Sequence, residues 1–310
     1  MTEARLGPGA EFDRIRAIAT ALGSRGRALG DDCAVIPDEP GTLVASTDTS
    51  EEGVHFRLDW LTLEEAGYRA ATSALSDLAA AGARAVGVFT ALTAPRAATT
   101  ADLVSFMNGV GDAAESVDGV VLGGDLTAGA RWSATITVMG RAERVMSRRG
   151  ARPGDVVYVT GRLGGARAAL EAWLEGGAPD AASRAAFAHP SARIGAGRWL
   201  AAHGATAMLD LSDGLAGDAG HLAAASEVRI DLDLEAVPVH PSVVAPDRAL
   251  FAAAGGEDYE LLVCLPAGSA YETAMGVPLT RIGVAAEGQG VRLLRDGRAV
   301  ALPASYNHFG

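Results

Sequence analysis

The 310-residue chain contains no lysine, because all 26 of its basic residues are arginine. The absence excludes a P-loop lysine, a kinase-type strand lysine, and any lysine that forms a Schiff base or holds pyridoxal phosphate. The 38 acidic residues give a formal net charge of −12, which disfavours nonspecific binding to DNA or RNA. An enzyme with this composition has arginine as its only permanently cationic side chain.

Cysteine and long apolar runs are also scarce. Cys33 and Cys264 are too few for a disulfide framework or a zinc site, and the apolar run around Cys264 predicts a small buried side chain. No apolar stretch reaches the roughly 18 residues of a membrane span, and the N-terminus lacks a signal-peptide pattern. The sequence therefore predicts a soluble, cytoplasmic protein with no membrane partner.

Helical and strand patterns alternate along the chain, which predicts an α/β fold with mixed sheets. We expect two α/β domains, residues 1–147 and 148–310. Thr62 and Glu65 predict a capping box at the start of a long helix.

Three further local patterns give predictions that the structure tests. Val120 to Leu122 predicts a short strand that ends in glycines, and residues 242–253 predict a helix. Asp231 and Asp233 alternate with apolar residues, which predicts an exposed strand face.

Acidic residues concentrate in short segments at predicted strand or helix ends, where α/β proteins place ligands. Aspartate and glycine are also common turn residues, so one such segment alone indicates little. Converging carboxylates require cations, and oxygen ligands suit Mg²⁺ when phosphates share the coordination. The six segments are 30–32, 46–49, 76–78, 123–125, 210–214 and 255–258.

Seven motifs occur in an order that resembles the thiamine-monophosphate kinase family, within the superfamily of aminoimidazole-ribonucleotide synthetase. The resemblance runs from about residue 11 to the C-terminus, and it depends on the order because single motifs are weak. The motifs are Gly-Asp-Asp-Cys-Ala (30–34), Ser-Thr-Asp-Thr (46–49), Glu-Gly-Val-His-Phe (52–56), Ser-Asp-Leu-Ala-Ala (76–80), Gly-Gly-Asp (123–125), Asp-Leu-Ser-Asp-Gly-Leu (210–215) and Gly-Gly-Glu-Asp-Tyr-Glu-Leu (255–261).

The resemblance implies ATP-dependent phosphorylation of thiamine monophosphate to thiamine diphosphate with several Mg²⁺ ions, by a two-domain homodimer that pairs through its N-terminal sheet. The implied metal ligands are Asp32, Ser46, Thr47, Asp48, Asp77, Asp125, Asp210 and Asp213, with Asp48, Asp125 and Asp213 acting in catalysis through the metal. The implied ATP contacts are Gly124, Asp125, Arg148 and Ser212. The implied substrate contacts are His55, Glu257 and Tyr306.

Some positions depart from the family pattern. Ala74 replaces the usual asparagine before Leu-Ser-Asp, and Asn307 replaces an aspartate in the C-terminal motif. A bulky aromatic residue of the substrate pocket falls at Ala304, which leaves Tyr306 as the remaining candidate for the pocket wall.

The acceptor in this reaction is a phosphate monoester with a second pKa near 6, so it is already an anionic nucleophile at neutral pH. No general base is required, and we expect direct in-line transfer from ATP. Two alternatives stay open: another ATP-using enzyme of the superfamily, such as a purine-pathway synthetase, and a non-catalytic protein that binds nucleotides or divalent metals.

Overall fold

A computed structural model describes residues 9–26 and 33–302. It separates the chain into two compact units. The first contains the described residues up to Leu78 together with Arg84–Arg141, and the second contains Ala79–Ala83 and the residues from Ala142 onward. None of the helices in the described ranges is long and apolar enough to cross a membrane.

The first unit combines three α-helices with a four-stranded sheet. Its strands lie in the order β1-β4-β2-β3, with β2 parallel to β3 and antiparallel to β4. In chain order the elements are α1 (Ala10–Leu22), a 3₁₀ turn (Gly23–Arg25), β1 (Thr42–Glu51), α2 (Leu63–Ala80), β2 (Arg84–Pro95), α3 (Thr100–Glu115), β3 (Val120–Gly129) and β4 (Ser133–Ala142).

Alternation along the strands gives this sheet two different faces. Ile136 and Val138 are fully buried, whereas Leu43, Thr47 and Ala91 on alternate positions are exposed. Helices α2 and α3 pack closely at Gly67, where a Cβ atom would lie 2.0 Å from the carbonyl oxygen of Phe106. One face of the sheet therefore belongs to the core, and the other is largely open to solvent.

The second unit surrounds a larger mixed sheet. Strands β12-β11-β7-β10-β5-β8-β6 follow one another across it, and β9 pairs with β10. The elements are β5 (Val156–Thr160), α4 (Gly165–Leu174), α5 (Ala181–Ala188), α6 (Ile194–Ala202), β6 (Ala207–Asp210), α7 (Leu215–Ser226), β7 (Arg229–Asp233), a 3₁₀ turn (Leu234–Ala236), α8 (Arg248–Ala253), β8 (Leu261–Leu265), β9 (Thr273–Ala274), β10 (Val277–Ala286), β11 (Gly290–Arg295) and β12 (Arg298–Val300).

The core of this second unit confirms the prediction for Cys264. Its side chain is fully buried on β8 among Val157, Leu209 and Leu262. Burial raises the pKa of the Cys264 thiol to about 12, with a further contribution from Asp155. The thiol therefore stays protonated at neutral pH and serves as a small apolar side chain.

Three predictions about local structure are wrong. Strand β3 continues for ten residues through Gly123 and Gly124, because it pairs in parallel with β2 along this length. Helix α8 begins only at Arg248, where Asp247 caps its first turn. The third is wrong for Asp231 only: Asp233 is exposed as predicted, but Asp231 is buried, because the guanidinium groups of Arg229 and Arg292 both bind its carboxylate.

Candidate functional site

Strand β1 and helix α2 bring three oxygen-bearing side chains together in the first unit. Ser46 and Asp48 are two residues apart on β1 and therefore lie on the same face of the strand. The Ser46 hydroxyl donates a hydrogen bond to Oδ2 of Asp77 over 2.5 Å. Burial, and then the charge of Asp77, raise the pKa of Asp48 to about 6. The charge of Asp77 disfavours the ionisation of Asp48, and these two carboxyl groups with a hydroxyl beside them form a site that a divalent cation stabilises.

Helix α2 holds Asp77 in place, and its start follows the capping box predicted from the sequence. The N–H of Thr62 donates to Oε2 of Glu65 over 2.9 Å, and the N–H of Glu65 donates to Oγ1 of Thr62 over 3.2 Å. The helix that carries Asp77 therefore begins with two of its first N–H groups satisfied.

Thr47 points away from this group. Its hydroxyl lies 3.0 Å from the Thr137 hydroxyl and 3.3 Å from the carbonyl oxygen of Ile136. Strand alternation places it on the opposite face from Ser46 and Asp48. A contribution of Thr47 to the same cation would therefore come from its main-chain carbonyl and not from its hydroxyl.

Asp125 also lies apart from Asp48. It sits on β3, in register with exposed Ala91, while β1 forms the other edge of the sheet. Three strand spacings, about 14 Å, separate the two backbones. Two aspartates cannot bridge that gap through one ion, whose oxygen ligands lie about 2.1 Å away. Within one chain, Asp48 and Asp125 therefore cannot bind the same ion, and Gly124 precedes Asp125 on β3.

His55 lies in the turn after β1 with one ring nitrogen engaged. Its Nδ1 accepts the main-chain N–H of Glu51 over 3.1 Å. The neutral ring therefore carries its proton on Nε2, which suits a donor to a phosphate oxygen.

In the second unit, Asp210 ends β6, and the loop between β6 and α7 carries Ser212 and Asp213. Oδ2 of Asp218 accepts the main-chain N–H groups of Ser212, Asp213 and Gly214, each over 3.1 Å. Burial raises the pKa of Asp218 to about 7, and the charges of Asp213 and Asp210 add to the shift.

A possible metal-ligand set adjoins this loop. Ligand atoms of Asp213, Asp218 and His221 all lie within 4.8 Å of one another. Neither Asp218 nor His221 lies in one of the seven sequence motifs. An acidic residue in the first turn of a helix that follows Ser-Asp-Gly is the signal that could have found Asp218.

The Gly-Gly-Glu-Asp-Tyr-Glu-Leu segment supports the same loop from the other side. The N–H of Glu257 donates to the carbonyl oxygen of Ser212 over 2.8 Å, and the N–H of Tyr259 donates to that of Leu211 over 2.9 Å. Glu257 and Tyr259 both adopt positive φ, 65° and 51°. The proposed substrate contact Glu257 is thereby held directly beside the proposed metal and ATP loop.

The other two acids of this segment have structural partners. Both carboxylate oxygens of Asp258 accept the N–H of Gly164, and burial raises the Asp258 pKa well above its ordinary value. Glu260 is buried and accepts two hydrogen bonds from Arg193, over 2.8 and 2.5 Å, and one from Thr160 over 2.6 Å. These acids therefore support α4 and the sheet, and they are not placed to hold a ligand.

Three of the expected site residues remain, namely Arg148, Asp32 and Tyr306, and the described part of the chain does not show them together. Arg148 is exposed in the second unit, where its carbonyl oxygen accepts the Ser226 hydroxyl over 2.9 Å. Asp32 and Tyr306 lie outside the described residues.

Both halves of the chain match one family of proteins. Residues 30–142 match the N-terminal domain of the AIR synthase related proteins, and residues 152–295 match their C-terminal domain. Thiamine-monophosphate kinase of Escherichia coli K12 is 38% identical over 320 residues, which cover 96% of this chain and 95% of that protein. The enzyme of Mycobacterium tuberculosis H37Rv is 32% identical, over 91% of this chain and 85% of that protein.

The chain belongs to the thiamine-monophosphate kinase family, within the AIR synthase related proteins. Solved structures agree with this assignment. Thiamine-monophosphate kinase from Stenotrophomonas maltophilia has a TM-score of 0.82 and 34% identity, covering 95% of this chain and 98% of that one. AaThiL complexed with AMPPCP and TMP has a TM-score of 0.80 and 32% identity, covering 96% and 97%. The predicted two-domain α/β fold of this superfamily is therefore confirmed.

Proposed function

We propose that this protein transfers the γ-phosphoryl group of ATP to thiamine monophosphate, giving thiamine diphosphate and ADP. The observation that carries the proposal is the similarity to thiamine-monophosphate kinases over 91–96% of the chain. A family member also forms a complex with AMPPCP and TMP. The two groups of carboxylates described above supply the chemistry that such a transfer requires.

The carboxylates fit divalent cations. Asp48, Asp77 and Ser46 offer oxygen atoms in the first unit, and burial, followed by the charge of Asp77, raises the pKa of Asp48, whose ionised form a bound cation would stabilise. Asp210 and Asp213 offer oxygens in the second unit, and we add Asp32 and Asp125 as further ligands. Bound Mg²⁺ supplies the positive charge that lets a triphosphate approach an acidic, lysine-free protein.

The side chains that remain have orienting roles in this proposal. Nε2–H of His55 donates to a phosphate oxygen of the acceptor, and the carboxylate of Glu257 faces its thiazolium cation. Arg148 binds the triphosphate, for which its planar guanidinium is suited. Gly124 and Ser212 contact ATP, and Tyr306 contacts the thiamine moiety.

None of these residues acts as a general base. The acceptor monoester has a second pKa near 6 and is mostly dianionic at neutral pH. The protein therefore binds and aligns an existing nucleophile, and the phosphoryl group passes to it without a covalent carrier.

We also propose a homodimer that pairs through the open face of the first sheet. Leu43 is 45% exposed there, and Ala91 on a central strand is exposed as well. A second copy would cover these positions and remove the open face from water. The cytoplasmic location stays a prediction.

The test of the proposed function is an acceptor panel. Purified protein with Mg·ATP receives thiamine monophosphate, thiamine or no acceptor, and chromatography measures thiamine diphosphate and ADP. We expect rapid product with thiamine monophosphate and almost none with thiamine, whose neutral hydroxyl needs a base. Absence of product at every metal concentration and pH would favour a non-catalytic binding protein, whereas a product from a purine-pathway substrate would favour that synthetase.

A further inference from the structure

A single buried carboxylate anchors the backbone of the β6–α7 loop. Oδ2 of Asp218, which is only 4% exposed, receives the N–H groups of three successive residues, Ser212, Asp213 and Gly214. These groups immediately precede α7, which begins at Leu215 with Gly214 as its N-cap, so no helical hydrogen bond of α7 uses the N–H groups of Ser212 and Asp213.

The same arrangement shows what the loop before α7 does not do. Successive free N–H groups of a main chain can bind phosphate. Here the N–H groups of residues 212–214 already point at an internal carboxylate, so these loop amides are not available to a triphosphate. What the loop region can present to a ligand is its side chains, those of Asp210, Ser212 and Asp213.

The carbonyl side of the loop is held as well. Glu257 and Tyr259 donate to the carbonyl oxygens of Ser212 and Leu211, and the N–H of Leu211 donates to the carbonyl oxygen of Glu260 over 2.8 Å. Asp218 therefore completes the backbone hydrogen bonding of a segment whose other edge is already fixed. Removing its carboxylate would free three N–H groups at once.

We propose that Asp218 is a positioning residue, which holds the 210–214 backbone so that Asp210 and Asp213 meet a divalent cation in a fixed arrangement. This rests on the proposed function, in which those two aspartates are ligands. Groups that orient metal ligands commonly change metal affinity by about 10–100-fold when they are removed. Asp218 orients the two ligands in this way through its hydrogen bonds to the main chain.

The test compares Asp218→Asn with Asp218→Ala in the full-length protein. Both variants and their reference protein also carry Asp48→Asn and Asp125→Asn, so that the first unit contributes little to the signal. An amide oxygen can still accept the three N–H bonds, whereas alanine cannot. We expect Mn²⁺ affinity, measured by electron paramagnetic resonance, to fall at least about tenfold for Asp218→Ala and by less than about threefold for Asp218→Asn.

Hydrogen exchange of the Ser212, Asp213 and Gly214 amides is the second readout. We expect faster exchange in Asp218→Ala and near-native exchange in Asp218→Asn. Asp180→Ala is the matched control, because the Asp180 carboxylate likewise caps the start of a helix, accepting from Ala182 and Ser183. It should lower stability without changing Mn²⁺ binding.

Two outcomes overturn the proposal. Equal loss of Mn²⁺ affinity in Asp218→Asn and Asp218→Ala would mean that the charge itself binds the metal. Unchanged affinity in Asp218→Ala, with only lower stability, would mean a purely structural role. Asp218→Ser serves the comparison if the alanine variant does not fold. Neither readout depends on turnover, so lack of kinase activity would refute the proposed function without deciding this test.

Discussion

At the scale of single residues, Asp48 links cation binding to stability. Its pKa is raised to about 6 in the folded protein, against 3.8 for an ordinary aspartate. Between about pH 4 and pH 6 the folded chain holds a proton that the unfolded chain has released. The contribution of Asp48 to the free energy of unfolding is therefore greatest below about pH 4 and is lost as the pH rises through about 6. The total loss is at most about 3 kcal/mol.

Asp48→Asn should separate stability from activity. At pH 7.5 without metal, we expect a higher melting temperature than in the wild type, because the buried charge and its repulsion by Asp77 are gone. Kinase activity should fall by at least about a hundredfold, because a neutral amide is a poor ligand for Mg²⁺. Calorimetry and a coupled ADP assay measure the two effects.

The exposed Asp118→Asn is the matched control and should change neither property. An Asp48→Asn variant with near-normal turnover at low Mg²⁺, or with reduced stability at pH 7.5, would contradict this account.

The sequence reveals Asp48 and Asp77 more readily than Asp218. The first two lie in segments rich in small and acidic residues, which is the pattern expected around a cation. Asp218 lies in an ordinary helical run, and its role depends on backbone N–H groups five and six residues earlier. An acidic residue in the first turn of a helix is its one local signal, and which N–H groups it binds depends on how the loop turns before the helix begins.

At the scale of elements, Gly256 allows its segment to lie against the β6–α7 loop. A Cβ atom at this position would lie 2.5 Å from the carbonyl oxygen of Ser212, which is closer than real Cβ contacts come. Backbone atoms would have to move to accommodate it. The hydrogen bond from Glu257 to Ser212 would be displaced with them.

We therefore expect Gly256→Ala to lower stability by about 1–3 kcal/mol and to reduce kcat. Gly220→Ala is the control: Gly220 lies within α7 with no atom within 4 Å of the added methyl group, so stability should rise by up to about 1 kcal/mol. Chemical denaturation and steady-state kinetics measure both. Unchanged stability and kcat in Gly256→Ala would show that this close approach is unimportant.

Pairing between elements also explains where local patterns fail. Glycines 123 and 124 predict the end of a strand, yet β3 continues because its backbone bonds to β2 as far as Gly129. Asp231 alternates with apolar residues like an exposed residue, yet β11 brings Arg292 beside it. In both cases the partner is distant along the chain, so local propensity gives the wrong environment.

At the scale of the whole molecule, the open sheet face predicts the oligomeric state. Light scattering at micromolar concentration should give twice the 31.5 kDa mass of the chain. Ala91→Arg introduces a charge at the middle of that face and should give the monomer mass. Ala267→Arg, at an exposed turn of the second unit, should remain dimeric. A wild-type mass of one chain would contradict the proposed dimer.

The central claim is direct transfer of the γ-phosphoryl group from ATP to thiamine monophosphate. The most direct measurement uses ATP made chiral at its γ-phosphorus with oxygen isotopes, followed by stereochemical analysis of the thiamine diphosphate formed. One in-line displacement inverts the configuration at phosphorus, and we predict inversion because no residue is assigned as a covalent carrier. Net retention would show two displacements through an enzyme-bound phosphoryl group, and absence of thiamine diphosphate would contradict the account altogether.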